Sequence, residues 1–387
     1  MAAKDQHAVN VSELTFETID KVRRELKRLI ELGGSDLHIK SNSTMRARIN
    51  GEIVSFGDEI FSKSDGITFA KELLRTRFSE FVEKKEMDLV YIYDESLRFR
   101  VNIFFQMDGV SAVFRAIPSA QKTLKEMGLP EGLRKIIGMD RGLVLVTGVT
   151  GSGKSTTLAS LIHEINSSKN KHIITIEDPI EFMHKDIQCI INQRSVGQDT
   201  NSFRDALRGA LREDPDIILV GEMRDTETIE MALHAAETGH LVLSTLHTMD
   251  AKETINRIIS VFPPHEQHRI RLILSSVISS IVAQRLVRSK NGGRVAAVEM
   301  LFKTPRVEAL IKEGRDSEIP AALAEGRSIY GTQTFDQALF DFVTQGVVEE
   351  EVALSHASVP SDLKLKLSND FFKKEGKEEE MIIGLKK

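Results

Sequence analysis

Gly148-Val149-Thr150-Gly151-Ser152-Gly153-Lys154-Ser155 carries the spacing G-x-x-x-x-G-K-[ST]. The chemistry it offers is capture of a nucleoside polyphosphate. Three glycines let the backbone turn tightly enough for successive N–H groups to converge on one anion. Thr150, Ser152 and Thr156 belong to the same turn. Lys154 supplies a fixed charge for the β- and γ-phosphates, and the Ser155 hydroxyl a ligand for Mg²⁺. Such a loop alone specifies only the nucleotide. Hydrolysis also needs an acid near the metal and a group that orients water. Asp216-Ile217-Ile218-Leu219-Val220-Gly221-Glu222 reads as a buried strand ending in a carboxylate, and Ile173–Ile176 as another, ending in Glu177-Asp178-Pro179. Two strands that deliver acids to one sheet edge suit a metal site and a water-orienting group, because ligands of such sheets bind at the carboxyl edge. A third apolar run, Leu241–Thr245, is flanked by His240 and His247. Both histidines are expected at that same edge, where one would sense the γ-phosphate.

These groups need a scaffold. Leu143–Thr147 before the loop is apolar and suited to a strand. Leu158, Leu161, Ile162 and Ile165 after it recur at helical spacing. The runs Leu143–Thr147, Ile173–Ile176, Ile217–Val220 and Leu241–Thr245 alternate with helical segments such as Ser202–Arg212. That pattern predicts an α/β class, with a largely parallel sheet covered on both faces. Upstream, Ile19, Val22, Leu26, Leu29 and Ile30 predict a helix over 18–32, stopped by Gly33-Gly34. Strands are expected at 36–39, 45–49, 89–93, 97–104 and 110–117, with a turn at Asn50-Gly51 and a helix near 67–81. The expected organisation is an α+β domain over 1–118, a connector over 119–140 with a short helix near 133–137, and an ATPase core over 141–290. A mostly helical C-terminal part over 291–372 follows, with a stripe of Phe335, Ala338, Leu339, Phe342 and Val343, and then a charged tail over 373–387. Residues 1–12 are expected to fray.

Composition narrows the alternatives. The 387 residues are 41% hydrophobic and 28% charged, ordinary for globular domains, and the net charge of −5 gives no support to nucleic acid as a partner. One cysteine, Cys189, excludes both a disulfide framework and a four-cysteine zinc site, and suits a small buried apolar residue. The N-terminus, Met1-Ala2-Ala3-Lys4-Asp5-Gln6-His7, lacks the apolar core of a secretory signal. The most apolar later run, Leu272–Ala283, carries four serines and falls short of the roughly 20 apolar residues a membrane span needs. A cytoplasmic protein without direct membrane insertion is expected. His38 is expected to be a half-buried structural histidine.

In order along the chain, Gly148–Thr157, Ile173–Phe182, Ala210–Asp225 and Thr238–Thr248 resemble the Walker A, Asp box, Walker B and His box of the secretion ATPase superfamily. Similarity to its type IV pilus retraction branch extends to Gly34–His38, Arg98–Asn102, Val113–Pro118, Gln284–Leu286 and Thr334–Leu339, and so over nearly the whole chain. The resemblance implies an N-terminal PAS-like domain, a RecA-like P-loop ATPase domain with a helical C-terminal part, and a homo-hexameric ring using ATP and Mg²⁺. It implies that Glu177 polarises the attacking water, that Glu222 is the Walker B acid, and that His240 and His247 form the His-box pair. Arg98, Arg100 and Arg115 match arginines of the N-terminal domain that contact nucleotide in this family. The implied work is pilus disassembly and twitching motility. Implied partners are an inner-membrane platform protein of the pilus machinery, which would hold the ring peripherally at the membrane, and a paralogous retraction ATPase. Val149 departs from the usual proline, a change that touches loop rigidity. Thr334–Leu339 is also similar to the accessory retraction paralogue. Extension and type II secretion ATPases are further alternatives, although those relatives commonly carry a tetracysteine module and a longer N-terminal region.

Overall fold

Ile19, Val22, Leu26 and Leu29 are all buried on one face of the helix Glu17–Glu31, and Gly33, at φ +68°, turns the chain beyond its end. The computed structural model describes residues 9–49, 51–94, 97–117 and 122–369. The first eight residues, Asn50 of the expected turn, the expected boundary at Pro118 and the charged tail lie outside the described residues. The described residues divide into two compact units, 9–117 with 179–183, and 122–178 with 184–369.

The first unit is built on six antiparallel strands: β1 (Gly34–Lys40), β2 (Ser43–Ile49), β3 (Glu52–Phe61), β4 (Glu86–Ile92), β5 (Arg98–Gln106) and β6 (Gly109–Ile117), in the order β3-β2-β1-β6-β5-β4. Period-two alternation sorts their side chains. Leu37, Ile39, Ala47, Phe99, Val101, Ile103, Ala112 and Phe114 form one core with the helical residues Val22, Leu26, Leu29, Phe69 and Phe81. The intervening positions, among them Asp36, His38, Arg48, Arg98, Arg100 and Arg115, therefore fall on the opposite face. The helix expected near 67–81 is two helices, Lys63–Leu74 and Phe78–Lys84. A 3-10 turn at Arg75–Arg77 separates them, entered with Arg75 at φ +51°. Strand β3 was not expected. It is an edge strand, mostly exposed, whose pairing with β2 is interrupted by a register shift between Thr44 and Arg46, so its sequence lacks a clean alternation.

The second unit holds a seven-stranded sheet: β7 (Gly142–Thr147), β8 (His172–Glu177), β9 (Ile190–Ser195), β10 (Ile217–Val220), β11 (Leu241–Leu246), β12 (Ile278–Arg288) and β13 (Arg294–Phe302). The order is β13-β12-β7-β11-β10-β8-β9, and every pairing is parallel except β12 with β13. Successive residues of the central strands enter two different cores. Leu143, Leu145, Ile218 and Val220 pack with the helices Thr226–Glu237 and Ala251–Ser260, while Val144, Val146, Ile217 and Leu219 pack with Leu158, Leu161 and Ile162 of the helix Lys154–Asn166. Burial on both faces explains the unbroken apolar runs.

Two expectations are corrected. The stretch 119–140 does not stand apart as a connector in its described part. Leu124, Leu129, Leu133 and Ile136 are buried in the same core as Val144 and Val146. Nor does the C-terminal part expected to be mostly helical over 291–372 begin with a helix: its first element is β13, which pairs with β12 as a hairpin that extends the sheet. The remaining described C-terminal segments are mainly helical. Thr334 and Gln337 close a capping box at the start of Phe335–Thr344. Phe335, Ala338, Leu339, Leu363 and Leu367 pack against Ala283, Val287 and Ala297 of the hairpin. Among the described residues no helix is long and apolar enough to cross a membrane. Cys189 is buried, as expected.

Candidate functional site

The phosphate loop joins β7 to the helix Lys154–Asn166. Its glycines occupy left-handed or otherwise positive-φ backbone: Gly148 at +141°, Gly151 at +79° and Gly153 at +94°. Gly148 is also sterically required, since a Cβ there would lie 2.5 Å from the Gln284 carbonyl oxygen and 2.6 Å from Ser152 Oγ. Gly153 caps the helix and no side chain caps it, so the first-turn N–H groups are left to the concave side of the loop. Lys154 Nζ reaches back to donate to the carbonyls of Gly148 at 2.8 Å and Val149 at 3.2 Å. A glycine cradle, an uncapped helix start and a lysine folded over the loop fit a phosphate group.

Three more strands deliver side chains to this carboxyl edge. β10 ends one residue before Gly221, and Glu222 follows. A Cβ on Gly221 would approach the Ile176 carbonyl to 3.2 Å and Glu177 Cα to 3.3 Å, so this glycine lets the two acid-bearing strand ends come close. The Gly221 N–H donates to the Ile176 carbonyl at 2.7 Å, and Thr245 Oγ1 donates to the Gly221 carbonyl at 2.6 Å. Arg224 pairs with Glu222 Oε2 at 2.8 Å, and His247 Nε2 lies 3.3 Å from Glu222 Oε1. Burial pushes the Glu222 carboxyl up, but Arg224 and His247 outweigh it and hold the group below its ordinary range. Glu177, the last residue of β8, accepts from Thr175 Oγ1 at 2.7 Å and Gln193 Nε2 at 3.3 Å on the same oxygen, Oε1. The His184 backbone N–H donates to Gln193 Oε1 at 2.8 Å and so fixes that amide's orientation.

His240 is not with them. It precedes the six-residue strand β11, and its carbonyl accepts from the N–H of Gly142, the first residue of β7. The phosphate loop follows the other end of β7. In a parallel sheet, residues that flank a strand lie on opposite edges, here about 20 Å apart for six residues at 3.3 Å each. The expectation that both histidines share an edge is corrected. His247 is at the phosphate-loop edge, and His240 is at the amino edge, its Nδ1 2.9 Å from the Ala235 carbonyl and 3.2 Å from Thr238 Oγ1.

Arg98, Arg100 and Arg115 belong to the first unit. Arg100 and Arg115 are register partners across β5 and β6. Arg115 Nε donates to Asp36 Oδ1 at 2.7 Å, and Arg48 Nε lies 3.8 Å from Asp36 Oδ2. Burial raises the Asp36 carboxyl's pKa, but the Ser35 hydroxyl and Arg115 more than reverse this. Arg98 Nε is buried and has no hydrogen-bond partner among the described residues. His38 is half-buried, as expected, and burial lowers its pKa.

Sequence reasoning passed over four residues. Arg224 lies in the recognised run Gly221-Glu222-Met223-Arg224-Asp225 but was given no role. Thr175 stands two residues before Glu177 and hence on the same strand face. Gln193 lies on β9, a short edge strand that was not expected. Gln284 lies on β12, and its Nε2 donates to Thr157 Oγ1 at 2.8 Å.

The chain is similar to known proteins in both sequence and fold. The family described as Type II/IV secretion system protein matches residues 19–313. The chain is 44% identical to the type IV pilus retraction ATPase PilT of Pseudomonas aeruginosa, over 85% of this chain and 96% of that protein. It is 48% identical to a twitching motility protein of Neisseria gonorrhoeae, over 72% of this chain and 74% of that one. Among solved structures, the pilus retraction motor PilT with bound ADP superposes with a TM-score of 0.83 at 40% identity, covering 89% of this chain and 98% of the other.

Proposed function

Because the chain belongs to the type II/IV secretion system protein family, we propose that it is an ATP-hydrolysing motor that powers retraction of type IV pili, and with it twitching motility. The observation that carries this reading is the similarity to PilT over 96% of that protein's length. Both compact units are thereby included, not the nucleotide core alone.

In this reading the loop N–H groups and Lys154 bind the polyphosphate, with Gly148, Thr150, Gly151, Ser152, Gly153 and Thr156 shaping the cradle. Ser155 and Glu222 are the residues that would hold Mg²⁺, which when bound neutralises phosphate charge. Glu177, its Oε1 oriented by Thr175 and Gln193, positions and polarises the attacking water. His247 bears on Glu222, and Arg224 fixes that acid's other oxygen. Arg98, Arg100 and Arg115 supply positive charge to the nucleotide. The working form is a homo-hexamer that engages the pilus platform protein, peripherally at the inner membrane, with a paralogous retraction ATPase as a further partner.

Purified protein is expected to release phosphate from ATP only with Mg²⁺. Glu222→Ala is expected to keep nucleotide affinity and lose turnover, and Lys154→Ala to lose both, since it removes the charge that faces the phosphates. In cells, loss of the gene is expected to leave fluorescently labelled pili that extend and never retract. Pili that fail to form at all would instead indicate an extension motor.

A further inference from the structure

We propose that Gln284 is a positioning residue for the phosphate loop, one that holds its entry and its exit in the geometry that captures nucleotide. The inference deepens the assignment of Gly148–Ser155 as the nucleotide site and rests on it. Gln284 is 1% exposed and meets the loop twice. Its backbone carbonyl stands 2.5 Å from where a Cβ of Gly148 would be, at the loop's first residue. Its side-chain Nε2 donates at 2.8 Å to Oγ1 of the fully buried Thr157, in the first turn of the helix that the loop opens into. One residue of β12 therefore bridges both ends of the turn.

Core packing gives no reason for an amide here. A leucine or methionine would fill a similar volume without burying polar atoms, which are costly when unpaired. Gln284 Oε1 is buried with no hydrogen-bond partner among the described residues. The same holds for Thr147 Oγ1 and Ser152 Oγ, which belong to the strand end and loop that Gln284 abuts. Unsatisfied buried polar atoms call for an explanation, and these three belong to one strand–loop junction. That junction is poised to change its hydrogen bonding when the loop closes on phosphates. The neighbouring residue, Arg285, points to the other face of β12. There it stacks on the Phe335 ring at 3.8 Å and donates to the His356 carbonyl, within the C-terminal helical segments. The loop contact is thus specific to position 284.

The test is titration of full-length purified protein with a fluorescent ADP analogue, for wild type, Gln284→Leu, Thr157→Val, the double variant and Lys154→Ala, alongside steady-state ATPase kinetics. Losing one buried hydrogen bond that supports the bound loop is expected to weaken ADP by about tenfold in each single variant. The double variant is expected to be no weaker than the weaker single one, because both changes remove the same bond. In turnover the loss is expected in KM more than in kcat. Thr157→Val is nearly isosteric and leaves β12 untouched, so it keeps the test open if Gln284→Leu fails to fold. Wild-type ADP affinity in Thr157→Val and in folded Gln284→Leu, with affinity lost in Lys154→Ala, would overturn the inference. So would losses that multiply in the double variant. Unchanged affinity in Lys154→Ala would overturn the nucleotide-site assignment itself, and the inference with it.

Discussion

Both oxygens of Glu222 are engaged, Oε2 by Arg224 and Oε1 by His247. The guanidinium of Arg224 is largely exposed, so it contributes little to folding stability; exposed ion pairs seldom do. What it contributes is orientation, because it holds one oxygen while leaving the carboxylate plane defined for a metal. Arg224→Ala is therefore expected to lower kcat by about tenfold while ADP affinity stays near wild type, since its ion pair is with the acid Glu222 and not with the phosphate loop. Equal losses in affinity and turnover would show that Arg224 touches nucleotide directly. Glu177 is held differently. Thr175 Oγ1 and Gln193 Nε2 both donate to its Oε1, which fixes the orientation of the carboxylate at the strand end. Gln193→Leu removes one of these bonds without introducing a charge. It is expected to cut kcat several-fold with melting temperature and KM little changed, and a compensating fall in both kinetic constants would argue against an orienting role.

At the level of elements, the β12–β13 hairpin ties the nucleotide core to the C-terminal helices through Glu299 as well as through Arg285. Glu299 is deeply buried on β13. It accepts from the Ala251 N–H at 2.9 Å and from the Phe335 N–H, and so joins the first residues of two helices. Burial, reinforced by the nearby charge of Asp250 and opposed by Arg285, pushes its pKa up to about 7 from an ordinary 4.5. The unfolded chain then releases this proton at lower pH than the folded one. Between about pH 4.5 and 7 the folded state binds more protons, and stability falls as pH rises, by up to about 3 kcal/mol from this group. Glu299→Gln keeps the acceptor and abolishes the titration, so its melting temperature is expected to vary less with pH across that window than wild type; an unchanged slope would assign the dependence elsewhere. This hairpin is also where the sequence was least legible. Helix Pro264–Val277 passes into β12 at Ile278 with no glycine or proline between them, so no turn chemistry marks the change of period. β3 and β9 hide for another reason: both lie at sheet edges, where polar residues replace the apolar run. The central strands were legible because burial on two faces leaves continuous apolar stretches. The phosphate loop was legible because each glycine meets a backbone demand. Glu177 and Glu222 were legible as strand-end acids. His240 was misplaced because proximity in sequence to β11 does not say which end of the strand faces the loop, whereas chain direction in a parallel sheet does.

At the level of the whole molecule, the question is where the transition state finds enough positive charge. Negative charge builds on the γ-phosphoryl oxygens, and an added arginine is worth roughly 10³-fold or more in rate. Within the second unit Lys154 serves the loop, and Arg224 is engaged with Glu222. Arg98, Arg100 and Arg115 lie on the face of the first unit's sheet opposite its helical core, where Arg100 is exposed and Arg115 keeps 67% of its side-chain surface accessible despite its bond to Asp36. In the hexamer proposed above such residues would serve the nucleotide of another subunit, and hydrolysis would then be a property of the assembly. Activity per chain is then expected to rise steeply with protein concentration and to level off once rings have formed. Arg100→Ala and Arg115→Ala are expected to cut turnover while leaving ring formation, measured by light scattering, intact. Mixing either variant with Lys154→Ala carries the sharper test. A subunit with an intact loop and a subunit with intact arginines together make some complete sites if the arginines act across subunits, so part of the lost activity returns, with a maximum at an intermediate mixing ratio. If scattering shows mixed rings and no activity returns at any ratio, the arginines act within their own chain or not at all, and the shared site is wrong.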